Sequence, residues 1–132
     1  MTKIQTDPWS QRALILLATI SLWRLLYLFI VPLDLGPDEA YYWDWSRQLA
    51  FGYFSKPPLI AWINALTTGI FGISAVAVRL PAVLLGAAGL WGLFLAARRL
   101  FSAEVGFWTL VVWLATPAAA ALGLIMATDV LM

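Results

Sequence analysis

The chain has 132 residues, of which 63% are apolar and only 11% charged, with a net charge of +1. A soluble domain carries roughly 25% charged residues, so the composition assigns the chain to the membrane class, and the small net charge leaves no footprint for a nucleic acid partner. With neither cysteine nor histidine, disulfides and Cys/His metal sites are excluded.

Residues 1–12 form a polar head carrying Lys3 and Arg12. The apolar run from Ala13 to Pro32 has the roughly 20 residues needed to cross a hydrocarbon core. It lacks the short h-region and small-residue cleavage site of a signal peptide, so an uncleaved spanning helix is expected. Arg24 lies mid-span, where a charge is costly unless it faces protein or water or snorkels.

The next stretch places four acids, Asp34, Asp38, Glu39 and Asp44, between two apolar runs. Gly36-Pro37 reads as a helix start, because a proline in the first turn loses no needed donor. Asp38 and Glu39 then fall in that turn, where the helix dipole favours carboxylates. Tyr41, Trp45 and Leu49 recur at i, i+4, i+8, which predicts a short helix ending near Gly52. Lys56-Pro57-Pro58 breaks the chain before a run from Leu59 to Phe71, too short to span comfortably. Asn64, Thr67 and Thr68 share one face of it, as in a helix lying at the membrane surface.

Two further spans are expected, about 76–97 and about 105–126, with a kink at Pro117. Ala82, Gly86, Gly89 and Gly92 supply small residues for close helix packing. If the 59–71 run does not cross, Lys3, Arg12, Arg98 and Arg99 share one side, and the loop of about 33–75 lies on the other with Asp129. That arrangement obeys the positive-inside rule. The expected fold is all-α, with about three transmembrane helices (the first about 13–32) and one or two interfacial helices in the first extracytoplasmic loop.

The residues leave three readings of Asp38-Glu39 open. Helix-start electrostatics is the plainest. A general base is the second, since a carboxylate beside apolar surface is partly desolvated and its pKa rises. A hard-cation ligand is the third. Lys56, just before a helix start and on the same side as Asp38, suits an anion, and at a membrane face the nearest anion is a lipid phosphate. Tyr41, Tyr42, Trp43, Trp45 and Tyr53 offer stacking surfaces for sugar rings, although interfacial anchoring also uses such residues.

The stretch "GPDEAYYWDWSRQLAFGYFSKPPLIAW", followed by "VRLPAVLLG" and "ARRLF", resembles the N-terminal third or less of a polytopic glycosyltransferase of GT-C type. The superfamily is that of the protein O-mannosyltransferases and the aminoarabinose transferases that modify lipid A. The resemblance runs from Leu14 to the end of the chain. It implies an inverting enzyme of the inner (plasma) membrane that moves a sugar from a polyprenyl-phosphate donor to an extracytoplasmic lipid, glycan or protein. It also implies partners in the membrane lipid and in the remaining transmembrane helices of a full-length enzyme, so residues 13–132 would be one part of a larger transmembrane domain, inactive alone.

By the same resemblance Asp38 is the catalytic carboxylate and Glu39 its support. Lys56 contacts the lipid phosphate, and Asp129 is the acidic residue that follows the third span. Some relatives bind a divalent metal through an acidic residue just before that lysine. Here the position is Ser55, which leaves a metal cofactor as an open alternative. The competing function is a small three-span, non-enzymatic membrane subunit, a scaffold or part of a transporter.

Overall fold

The computed structural model describes residues 7–30, 34–53 and 58–117. It is an all-α membrane protein of five helices among the described residues: α1 (Pro8–Ile30), α2 (Pro37–Ser46), α3 (Leu59–Phe71), α4 (Ala75–Leu100) and α5 (Ala103–Leu114). Two of them, α1 with 23 residues and α4 with 26, are long and apolar enough to cross a membrane. At 1.5 Å per residue they reach about 35 Å and 39 Å, against a hydrocarbon core of about 30 Å.

Helix α1 begins earlier than its apolar run. Asp7 caps it, one carboxylate oxygen accepting the Ser10 backbone N–H at 2.9 Å and the other the Ser10 hydroxyl at 2.7 Å. These bonds, first the hydroxyl's, hold the Asp7 carboxyl below its ordinary pKa, with a smaller contribution from Arg98. Arg98, in the last turn of α4, lies 3.2 Å from Asp7. The start of α1 and the end of α4 therefore sit at one end of the molecule, and the two long helices run antiparallel.

Between them, Ala13 and Leu17 of α1, Leu90 and Phe94 of α4 and Leu110 of α5 form one core cluster. The α4–α5 turn is short, with Ser102 capping α5 by accepting the Val105 N–H. The two helices approach closely at Gly106. A Cβ there would lie 3.0 Å from both the Phe94 ring and the Phe94 carbonyl oxygen. Gly106→Ala is accordingly expected to destabilise the hairpin by about 1–3 kcal/mol, the usual cost of overpacking. A thermal melt of the detergent-solubilised protein checks this, and an unchanged midpoint would contradict so tight a contact.

The row of small residues on α4 is used only in part. Ala82 is fully buried, whereas Gly89 and Gly92 have nothing within 4 Å of a built Cβ. Gly86 faces α1, where Arg24 Nη1 lies 4.0 Å from the same notional atom. Arg24 is 5% exposed. It faces protein, and the missing side chain at Gly86 gives its guanidinium room.

At the other end a second cluster joins Tyr42 of α2, Ile60 of α3 and Val78 and Ala82 of α4. The 13 residues of α3 reach about 20 Å, short of the hydrocarbon thickness, and Gly72 ends the helix at φ +81°, a left-handed position that suits glycine. Its polar face is turned toward the protein. Asn64 and Thr67 are buried. The threonine hydroxyls turn back on their own helix, Thr67 to the Ile63 carbonyl at 3.1 Å and Thr68 to the Asn64 carbonyl at 2.6 Å. Those bonds satisfy both threonine hydroxyls, whereas the Asn64 side-chain amide is buried with no hydrogen-bond partner among the described residues.

Helix α5 starts where the third span was expected but stops at Leu114, and a turn at Ala115–Thr116 precedes Pro117. Residue 116 is biased away from helix by the proline that follows. The rest of the expected 105–126 span, with Asp129, lies outside the described residues, as do Ser55 and Lys56.

Candidate active site

The acid-rich segment is organised by the start of α2. Gly36 is the N-cap and Pro37 the first helical residue. Glu39 reaches back so that its Oε2 accepts the Gly36 N–H at 2.9 Å, one half of a capping box. This carboxylate is only 1% exposed. It is held there by Arg79, in the first turns of α4, 40 residues away. Arg79 Nε donates to Oε1 at 2.9 Å and Nη2 to Oε2 at 2.6 Å. Such a fork is the strong form of ion pair. The same Nη2 also donates to the Asp34 backbone carbonyl at 2.8 Å. One guanidinium thus ties both the entry to α2 and its first turn to α4.

Asp38 is the next-door residue and has the opposite environment. Successive helical residues are about 100° apart, so Glu39 turned inward leaves Asp38 turned out. It is exposed, with no hydrogen-bond or ion-pair partner among the described residues. Asp38 has its lone pairs available to a substrate, whereas those of Glu39 are engaged.

The aromatic residues divide similarly. Tyr41 is 63% exposed and its ring centroid lies 6.2 Å from that of Trp45. Tyr42, expected among the stacking surfaces, is instead 3% exposed and packed in the core against Ile60 and Val78. Glu39, Tyr42 and Ser46 make the buried stripe of α2, and Asp38, Tyr41 and Trp45 a stripe on another side of the helix. Beyond Ser46 the chain leaves the helix, so Leu49 does not continue the face of Tyr41 and Trp45. Asp44 is exposed and pairs loosely with Arg47 at 3.7 Å.

No three carboxylates gather among the described residues in the way a hard cation needs. Glu39 is already committed to Arg79. The described residues do not by themselves fit a divalent metal, and no step below runs through one. Arg79 is the site residue for which the sequence supplied no role, although an arginine just inside an apolar helix must find a partner.

The family model for dolichyl-phosphate-mannose-protein mannosyltransferases matches residues 55–132. The chain belongs to that family. The matched region takes in the K-P-P and R-L-P motifs and therefore Arg79. A curated relative, the lipid A galacturonosyltransferase RgtD of Rhizobium johnstonii, is 34% identical over 120 residues. The alignment covers 90% of this chain but 25% of the relative, so this mannosyltransferase-family chain spans about a quarter of that protein's length. No solved structure matches it.

Proposed function

We propose that this chain carries the first-loop carboxylate of an inverting membrane glycosyltransferase, one that moves a sugar from a polyprenyl-phosphate donor to an extracytoplasmic acceptor. The observation that carries the reading is the pairing of unlike neighbours on α2. Glu39 is locked to Arg79, and this lock presents Asp38 on a fixed turn with no partner of its own among the described residues.

Asp38 then serves as general base. An acceptor hydroxyl gives its proton to the carboxylate as its oxygen bonds to the anomeric carbon. The bond from that carbon to the phosphate oxygen breaks with its electron pair, and polyprenyl phosphate leaves. One displacement with base and leaving group on opposite faces inverts the centre. The motif resemblance implies that Lys56 meets the leaving phosphate, where a cation stabilises developing charge. Tyr41 and Asp129 remain substrate-side candidates.

The test is transfer by the full-length membrane protein that carries this sequence, using a polyprenyl-phosphate sugar. The relative's name makes lipid A the acceptor to assay first, by the mass added to it. A correctly inserted protein that transfers nothing to lipid, glycan or protein acceptors overturns the reading.

The same reading puts the Asp7–Arg98 end in the cytoplasm and α2 outside the inner membrane. Because the chain has no cysteine, single substitutions report cleanly. Cysteine at the exposed position Gln48 should react with an impermeant thiol reagent added outside whole cells, and cysteine at Phe101 should not. The opposite labelling pattern would invert the topology and place Asp38 on the wrong side.

A further inference from the structure

Where α2 ends, residues 47–53 fold over its last turn and enclose a groove of about 600 Å³ lined by Asp44, Trp45, Arg47, Gln48, Ala50 and Tyr53, among others. Two aromatic side chains pin this loop. The Tyr53 ring stacks on Trp45 with centroids 4.8 Å apart. Its hydroxyl accepts the Ala50 N–H at 3.1 Å and has the Gln48 and Trp45 carbonyls at 2.9 Å and 3.0 Å to receive its proton. Trp62 of α3 donates its indole N–H to the Ala50 carbonyl at 3.1 Å. A groove fixed in this way is organised before any ligand arrives, which lowers the ordering cost of binding.

Its chemistry is mixed. Asp44 accepts hydrogen bonds, Arg47 donates them, and the Gln48 amide does both. The Asp44–Arg47 contact is long and exposed, a kind of pair that contributes little, so both groups can exchange it for a ligand. This set matches a polyhydroxylated ring, whose hydroxyls donate and accept at every edge. Leu49 also lines the groove, and Phe51, two residues on, is 92% exposed. Apolar tips on an outer loop of a membrane protein fit the interfacial layer, which puts the groove at headgroup depth. The groove also has a route to the base. Trp45 lies seven residues after Asp38 on the same side of α2, about 10 Å along the axis at 1.5 Å per residue.

We propose that this groove is a saccharide subsite that holds the carbohydrate headgroup of a membrane-borne acceptor while the reacting hydroxyl sits at Asp38. The assignment rests on the glycosyltransferase reading and names a substrate contact for it.

The experiment uses Arg47→Ala/Gln48→Ala in the full-length protein, since both side chains are exposed and the fold should tolerate their loss. The acceptor KM should rise about tenfold or more, as expected when charge-assisted hydrogen bonds are lost. The donor KM, and kcat at saturating acceptor, should stay unchanged. An unchanged acceptor KM in an active enzyme overturns the subsite and leaves the function standing. A rise in the donor KM instead assigns the groove to the donor and also overturns it. If the wild-type protein transfers nothing, the function falls, and the groove is judged by binding alone. Saturation-transfer NMR of a water-soluble glucosamine disaccharide with the full-length protein in detergent should then show contact that the double variant loses. No contact, or equal contact in both, rejects the subsite.

Discussion

Asp38→Asn is expected to lower sugar transfer by about 10²–10⁴-fold or more, the worth of a positioned general base, in the full-length protein that carries this sequence. Insertion and folding should be unaffected. The amide has the shape of the carboxylate, and Asp38 is exposed with no partner among the described residues. Substitutions at such positions usually change stability by no more than about 0.5 kcal/mol. What the amide loses is chemical, because it cannot take the proton of the acceptor hydroxyl. The measurement is donor consumption in membrane vesicles, normalised to the amount of inserted protein. Near-normal transfer would leave Asp38 as a helix-start carboxylate serving the dipole of α2, and the base would have to be sought elsewhere.

The start of α2 was legible because its signals are local. Gly36-Pro37 and the acids that follow specify a helix N-terminus within four residues. The long helices were legible for the same reason, being long, predominantly apolar runs. The end of α2 was not. Tyr41, Trp45 and Leu49 keep helical spacing, yet the helix stops at Ser46, where Tyr53 and Trp62 offer tertiary hydrogen bonds to the carbonyls of Trp45, Gln48 and Ala50. Periodicity cannot register such competition.

Tyr42 shows a related failure. Its ring chemistry invited a sugar-stacking role, while its position at i+3 from Glu39 and i−4 from Ser46 put it on the buried stripe. The partner of Glu39 was hidden by distance. Arg79 and Glu39 each stood in a recognised motif, but 40 residues separate them, and nothing in one dimension says that those two motifs meet.

Removing Arg79 should have the largest structural effect. Arg79→Ala leaves a buried carboxylate without its cation, and breaking a buried pair in this way costs about 3–5 kcal/mol. It also strands the Asp34 carbonyl, whose bond to Nη2 is 2.8 Å. Glu39→Gln should destabilise as well, because it leaves Arg79 charged and its fork unmatched. The informative variant is the double replacement Glu39→Leu/Arg79→Met. Hydrophobic substitutes for a buried ion pair are often neutral or stabilising, so the double variant should be more stable than either single one, with a coupling energy that a double-mutant cycle reads directly. Thermal melts of the four proteins in one detergent give that cycle. Additive single effects would show that the two side chains do not act as a pair.

Activity should not follow stability back. In the double variant the Gly36 N–H and the Asp34 carbonyl have both lost their side-chain partners, so the turn that carries Asp38 is no longer tied to α4. A displacement of about 1 Å at a catalytic group can cost about 10²-fold in rate. A protein with restored stability and transfer still depressed by about that factor would identify Glu39 and Arg79 together as positioning residues, acting on the reaction through the placement of Asp38. Full recovery of both properties would reduce the pair to a fold-stabilising contact.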